Sequence, residues 1–294
     1  MPGKSSGAVT RILKEWARGL VRKTQVAHFE NEVIGGLYRP PVATDDSSPF
    51  VFADDQRSEG MAEDGFAIPP KSLRMGYAQD DAEYIRSGQS SCNILRRTLS
   101  DHGVELGPGS AMLDWGSTTG RVLRGFAPEA AAGEAWGCDV DGPSIEWARS
   151  NLSPPFRFVT GTSFPHLPFE DGKFRFIYGL SVFTHIEHLV DAWLLELHRV
   201  LEPGGCAIFT IHDEHTVEYL RQHERPNWMP SGLGWDEILQ HDVTVVRGER
   251  WSRTYTFFSG QHIRRHWGQV FDVAELRPHS EGYQTAVVLR KPAR

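Results

Sequence analysis

The stretch Ala111–Phe126, reading AMLDWGSTTGRVLRGF, holds the first residues whose types and spacing suit chemistry. An apolar run ends in Asp114. A small turn follows with Gly116, Ser117, Thr118, Thr119 and Gly120, and an apolar pattern of helical period resumes at Val122 and Leu123. Strand, tight turn and helix in that order bring backbone N–H groups and a helix N-terminus against a ligand. Asp139 ends the next apolar run, about twenty residues further on, where a carboxylate accepts from both hydroxyls of a ribose. These features alone fit any nucleotide, a dinucleotide included.

A second group stands after later apolar runs. Ser181 and His185 follow Phe174–Leu180, and His212 and Asp213 follow Cys206–Ile211. An imidazole there titrates near neutrality and is suited to take a proton from a hydroxyl. The pairs His185/His188 and His212/His215 have metal-ligand spacing. No third ligand joins either pattern, and with 13 histidines in the chain such spacings arise by chance, so no metal is expected. Trp228, Trp235, Trp251, Tyr255, Phe257 and Phe258 cluster late in the chain, as an aromatic cap over an organic acceptor or as hairpin core.

The elements that must position these groups follow from periodicity. Residues 1–39 are basic, with Ile12, Leu13, Trp16, Leu20 and Val21 at helical spacing, and read as helix. Residues 40–81 carry Pro40-Pro41, Pro69-Pro70 and many acids, and read as a long acidic loop or flap. A helix is expected over 82–103, with Ile94, Leu95, Thr98 and Leu99 on one face. Strands are expected at Ala111–Asp114, Ala135–Cys138, Phe156–Val159, Phe174–Leu180 and Cys206–Ile211, with helices between them. Asp141 is the expected N-cap of one of these helices, with Pro143 in its first turn.

Five alternations of strand and helix predict a parallel, doubly wound α/β sheet. The pattern then lapses over about 212–259, where a short helix (Glu214–His223) and a hairpin (Val243–Val246, Tyr255–Phe258) are expected. A helix (Gln261–Trp267) and two strands (Phe271–Leu276, Thr285–Leu289) close the chain. With only the loop Arg277–Gln284 between them, these strands should form an antiparallel pair at the sheet end. The expected division is an extension over 1–81 and a main domain over 82–294, with an inserted cap after the fifth strand.

Length and composition set the class. At 294 residues, 39% apolar and 23% charged, the chain has the makeup of a globular protein with a sizeable core. A net charge of −7 argues against nucleic acid as a partner. Cys92, Cys138 and Cys206 are widely spaced and odd in number, which suits small core residues in a reducing compartment and excludes a disulfide scaffold. No apolar run reaches membrane-spanning length and no secretory h-region is seen, so a cytoplasmic protein without a membrane partner is expected. The oligomeric state is left open, with a homodimer among the alternatives.

Three further stretches narrow the nucleotide. LPFEDGKFRFIYGLSVFTHI (167–186), LHRVLEPGGCAIFT (197–210) and the closing FDVAEL and YQTAVVLRK resemble class I S-adenosylmethionine-dependent methyltransferases, in particular a small-molecule branch. The resemblance covers roughly residues 85–211 and 260–291. It implies a Rossmann-like, seven-stranded sheet with an antiparallel last strand, and S-adenosyl-L-methionine as cofactor. It further implies that Asp114, Gly116, Ser117 and Gly120 form the turn under the methionine half and ribose. Asp139 would bind the ribose hydroxyls, Val140 would pack on adenine, and Thr162 and Ser163 would lie at the adenine edge. Leu180 and Ser181 would face the sulfonium and the acceptor.

Three positions depart from the family pattern. Thr118 stands where glycine is usual, Thr162 where an acid is frequent, and Arg175 where an acid follows phenylalanine. The expected activity is methyl transfer to a small organic acceptor at oxygen, with His185 and His212 as candidate bases. The alternatives are a non-methylating protein that keeps the fold and, behind it, a nicotinamide-dependent oxidoreductase.

Overall fold

The structure is a computed structural model that describes residues 26–30, 58, 60–77, 80–223, 233–247 and 254–293. Its first elements are β1 (Val26–Glu30), β2 (Gly60–Met61), β3 (Ala67–Ile68), α1 (Asp81–Asp101) and β4 (Ala111–Trp115). Then come α2 (Ala127–Ala132), β5 (Glu134–Asp139), α3 (Gly142–Leu152), β6 (Arg157–Thr160), β7 (Phe174–Gly179), α4 (Val190–Val200) and β8 (Leu201–Ile211). The last are α5 (Glu214–Arg221), α6 (Trp235–Leu239), β9 (Val243–Arg247), β10 (Thr254–Phe258), α7 (Gly260–His266), β11 (Asp272–Glu281) and β12 (Gln284–Arg290).

Seven strands pair in the order β11-β12-β8-β7-β4-β5-β6. From β8 to β6 the pairing is parallel, whereas β12 runs antiparallel to both β8 and β11. The central strands are buried on both faces, which is why AMLDW and FRFIYG read as nearly unbroken apolar runs. Alternate residues serve opposite faces. Met112, Phe176, Tyr178 and Ile208 pack with Cys92, Leu95 and Leu99 of α1 and with Ile145, Ala148 and Leu152 of α3. Leu113, Ile177, Ala207 and Phe209 pack with Trp193, Leu194 and Leu197 of α4 and with Trp267. The expected sheet and its antiparallel end are both present.

Several local expectations need correction. Within the predicted N-terminal helix, Val26–Glu30 is a strand and pairs parallel with β9; the rest of 1–39 lies outside the described residues. Helical spacing alone did not reveal that β9 offers this segment a ladder. The chain after the glycine turn makes a 3-10 turn at Leu123–Phe126 before α2 begins. The expected loop Arg277–Gln284 is mostly strand, because β11 continues through an irregularity to Glu281. Asp141 flanks α3 without a side-chain cap; its N–H donates instead to Asp139.

Two parts cover the sheet. The segment 60–77 holds the β2–β3 hairpin and is fastened by Arg124, which donates to both Asp64 carboxylate oxygens at 2.7 Å and to the Ala67 and Phe66 carbonyls. The expected hairpin of β9 and β10 forms and, with β1, makes a second sheet in the order β1-β9-β10. That sheet joins the first at the end of β8, where Phe258 N–H donates to the His212 carbonyl at 2.8 Å.

Candidate functional site

The carboxyl ends of five neighbouring strands carry the residues picked out from the sequence. In sheet order they are His212 after β8, Leu180 and Ser181 after β7, the glycine turn after β4, Asp139 and Val140 at β5, and Thr162 and Ser163 after β6. The fold thus gathers the whole expected cofactor set along one edge, as in open α/β sheets that bind ligands there.

The turn is pinned to β5. Gly116 has φ +88°, and a Cβ there would fall 2.4 Å from Val182 Cγ2, so no other residue fits without displacement. Gly116 and Ser117 N–H both donate to the Cys138 carbonyl, at 2.8 and 3.2 Å. Thr118 adopts φ +45°, a region β-branched residues seldom enter. Its N–H donates to Asp139 Oδ2 at 2.8 Å, which holds it there. Asp139 Oδ1 accepts from Asp141 N–H at 2.9 Å.

A carboxylate offers about four acceptor lone pairs, so acceptor capacity remains beside the backbone amides. Burial raises the Asp139 pKa, and the amides oppose that rise. Val140 beside it is 62% exposed, and Phe164, beyond Thr162, is 70% exposed. The Ser117 hydroxyl is buried with no hydrogen-bond partner, and the Thr162 hydroxyl donates to the Phe164 carbonyl at 3.1 Å. Ser163 is exposed.

Asp114 stands in β4 just before the turn, its pKa pushed up to about 7 chiefly by burial, with the charge of Asp139 adding to it. A wall from α1 closes this side, and the sequence reading overlooked it. Tyr84 and Thr119 share a 2.7 Å hydrogen bond, Arg121 donates to Ser87 at 3.2 Å, and Ser91 donates to Glu281 at 3.0 Å. Gly88 lets the helix approach, since a Cβ there would sit 2.1 Å from the Arg121 carbonyl oxygen. The signal was the spacing of Tyr84, Gly88 and Ser91 along one helical face.

On the other side the strand ends are tied by amide and hydroxyl groups. Ser181 has φ +59°, and its N–H donates to Thr210 Oγ1 at 2.6 Å. Thr210 in turn donates to Gln284 Oε1 at 2.6 Å, and Gln284 Nε2 donates to Ser181 Oγ at 2.9 Å. Two left-handed non-glycine residues, Thr118 and Ser181, therefore stand at adjacent strand ends. Strain of this kind concentrates at functional sites.

The two candidate bases differ. His212 is 2% exposed, and burial, reinforced by the charge of His185, pushes its pKa down to about 3. Gln284 Nε2 faces His212 Nε2 at 3.5 Å, and an amide NH2 only donates. A neutral His212 thus keeps its proton on Nδ1. So buried a ring is hard to charge, which sets His212 apart from His185 as a candidate base. His185 is exposed, and its Nδ1 lies 2.7 Å from the Thr254 carbonyl. A carbonyl only accepts, so Nδ1 carries the proton and the lone pair stands on Nε2.

Among the described residues no metal-ligand group forms around His185 and His188, whereas His215 of the second pair joins Asp213 and Glu214. His188 Nε2 lies 2.7 Å from Glu187. Asp213, Glu214 and His215 lie within 4.8 Å of one another. Asp213, however, caps α5 and pairs with His215, and Glu214 accepts from Gly260 N–H. Of the expected aromatic cluster, Tyr255, Phe257 and Trp235 pack together in the cap and Phe258 lies in the main core, while Trp228 and Trp251 fall outside the described residues.

Comparison with known proteins accords with this geometry. Residues 112–205 match the family model described as a methyltransferase domain. The chain is 32% identical over 111 residues to the ubiquinone/menaquinone biosynthesis C-methyltransferase UbiE of Neisseria meningitidis, covering 36% of this chain and 44% of that protein. It therefore spans less than half the length of the curated relatives it matches. In fold it resembles the PH0226 protein of Pyrococcus horikoshii, with TM-score 0.54 and 19% identity over 76% of this chain and 99% of that one. It also resembles an S-adenosylmethionine-dependent methyltransferase of Clostridium acetobutylicum, with TM-score 0.51 and 10% identity over 69% of this chain and 92% of that one.

Proposed function

We propose that the chain, whose residues 112–205 match the methyltransferase domain model, is a class I S-adenosylmethionine-dependent methyltransferase that methylates a small organic acceptor at oxygen. The observation that supports this most is Asp139, fixed by backbone amides with acceptor capacity left, next to the bare surface of Val140. In this reading Asp139 receives the ribose hydroxyls, and Val140 meets the adenine face with Thr162 and Ser163 at its edge. Asp114, Gly116, Ser117 and Gly120 line the remainder of the cofactor. Thr118 fits because the left-handed turn and its bond to Asp139 accommodate it.

When bound, S-adenosylmethionine supplies an electrophilic methyl group on a cationic sulfur. The chain supplies alignment and a dry setting, which account for much of the acceleration of such a reaction. Ser181, with its hydroxyl oriented by Gln284, and Leu180 flank the acceptor. An acceptor hydroxyl loses its proton as it takes the methyl group, and we assign His185 as the group that takes it. We place the protein in the cytoplasm with no nucleic acid or membrane as substrate; among the described residues no helix is long and apolar enough to cross a membrane.

Calorimetric titration with S-adenosylmethionine tests the reading. Binding that Asp139→Ala weakens by about 2–3 kcal/mol is expected, since a charged acceptor of two hydroxyls is removed. No binding by the folded protein at millimolar cofactor would leave the non-methylating alternative. A second reading, methylation at carbon, is favoured by the name of the Neisseria relative. Mass and NMR analysis of the methylated product decides between the two.

A further inference from the structure

The turn after β7 is held to the cap by three consecutive residues. His185 Nδ1 lies 2.7 Å from the Thr254 carbonyl, and the Ile186 carbonyl accepts from Thr256 Oγ1 at 2.9 Å. The Glu187 carboxylate accepts from Arg247 Nε at 3.0 Å and from Arg247 Nη2 at 3.3 Å, and Thr254 Oγ1 stands 3.5 Å from it. Arg247 closes β9, Thr254 opens β10, and the two are opposite each other in the ladder. Glu187 therefore spans both strands of the hairpin at one rung. That same rung carries the carbonyl that meets His185. At the other end of the turn, Thr184 Oγ1 donates to the Ser181 carbonyl at 2.8 Å.

We propose, resting on the methyltransferase reading, that Glu187 and Arg247 are positioning residues for His185. A carboxylate bonded by two nitrogens of one guanidinium is fixed in direction as well as in distance. The Arg247 side chain is 38% exposed and that of Glu187 23%, so solvent and salt screen this pair less than one on open surface. With the turn anchored at Thr184 and again at Glu187, His185 is carried between two fixed points. The pair acts on the acceptor through Thr254, whose carbonyl sets the His185 ring. The cap thereby has a part in the reaction beyond covering the strand ends: seating its hairpin places the group that takes the proton.

The test is NMR of the full-length protein labelled with 15N-histidine, in which the ring N–H signal of His185 is identified by its loss in His185→Gln. A ring N–H bonded to a carbonyl is protected from exchange with water, so the wild type should show this signal. In Glu187→Ala and in Arg247→Met it should exchange about tenfold faster or be lost, whereas Arg247→Lys, which keeps the charge, should retain it. S-adenosylhomocysteine affinity, measured by calorimetry, should stay unchanged in these three variants, which also certifies that they are folded. A His185 signal unmoved in Glu187→Ala and Arg247→Met would overturn the proposal, even with a lower urea midpoint, because the pair would then serve stability alone. A wild type without a protected His185 signal would overturn it too. Failure of the wild type to bind S-adenosylhomocysteine would instead sink the methyltransferase reading, and with it the reaction that the clasp serves.

Discussion

Two histidines that look alike in sequence are set apart by their surroundings. His212 is sealed between Phe257 and Tyr283, and burial holds its pKa down, whereas His185 is exposed and its Nδ1 meets the Thr254 carbonyl. His185→Ala is expected to leave cofactor affinity intact and to lower turnover by about 10²–10⁴-fold, as loss of a general base does. Unchanged turnover would make His185 a structural link between the β7 end and the cap.

At the scale of elements, the segment 60–77 shows how one buried guanidinium sets a flap in place. Arg124 is spaced to continue the apolar pattern after the glycine turn, yet its side chain turns to Asp64 and two carbonyls. Arg124→Ala leaves Asp64 with only the Phe66 N–H and the Phe66 carbonyl with only the Ala62 N–H, and removes the guanidinium from the Ala67 carbonyl, so a loss of about 3 kcal/mol is expected. Urea denaturation checks the magnitude. Limited proteolysis should cut within 60–77 in the variant before the sheet unfolds. If the segment remains protected, the Phe66–Phe156 contact and the Arg74 bonds to Pro69 and Asp81 suffice to hold it.

At the scale of the whole molecule, burial of ionisable groups couples stability to pH with opposing signs. His212 and His262 have pKa values pushed down to about 3 and about 4, chiefly by burial, so the unfolded chain binds more protons below its ordinary histidine value of 6.5. Their contribution to stability is therefore lost as pH falls from there. Asp114, raised to about 7 from 3.8, acts in reverse: the folded chain binds the extra proton, and its contribution is lost as pH rises through 7. Asp114→Asn removes that opposing group. Its stability relative to the wild type should improve by about 2 kcal/mol between pH 5 and pH 8, and urea midpoints at the two pH values measure it. A constant difference would place the Asp114 titration elsewhere.

Much of the fold and of the cofactor edge was legible before any coordinate. Buried parallel strands announce themselves as short apolar runs, and the residues that follow each run stand at its carboxyl end by definition. That is why Asp114, Asp139, Ser181 and His212 could be listed together from spacing and resemblance. The partners that decide what each does come from far along the chain: Tyr84 against Thr119, Gln284 against Thr210 and Ser181, Thr254 against His185. No local period encodes such pairs. The strand at Val26–Glu30 is the plainest instance, since its ladder belongs to β9, more than two hundred residues away. The amino-acid sequence by itself determined the sheet and the kind of ligand edge it presents, because periodicity and turn chemistry act locally. Only the tertiary structure decided that His212 is buried against Phe257 and Tyr283 while His185 stays exposed on the Thr254 carbonyl, because burial is set by neighbours that meet on folding.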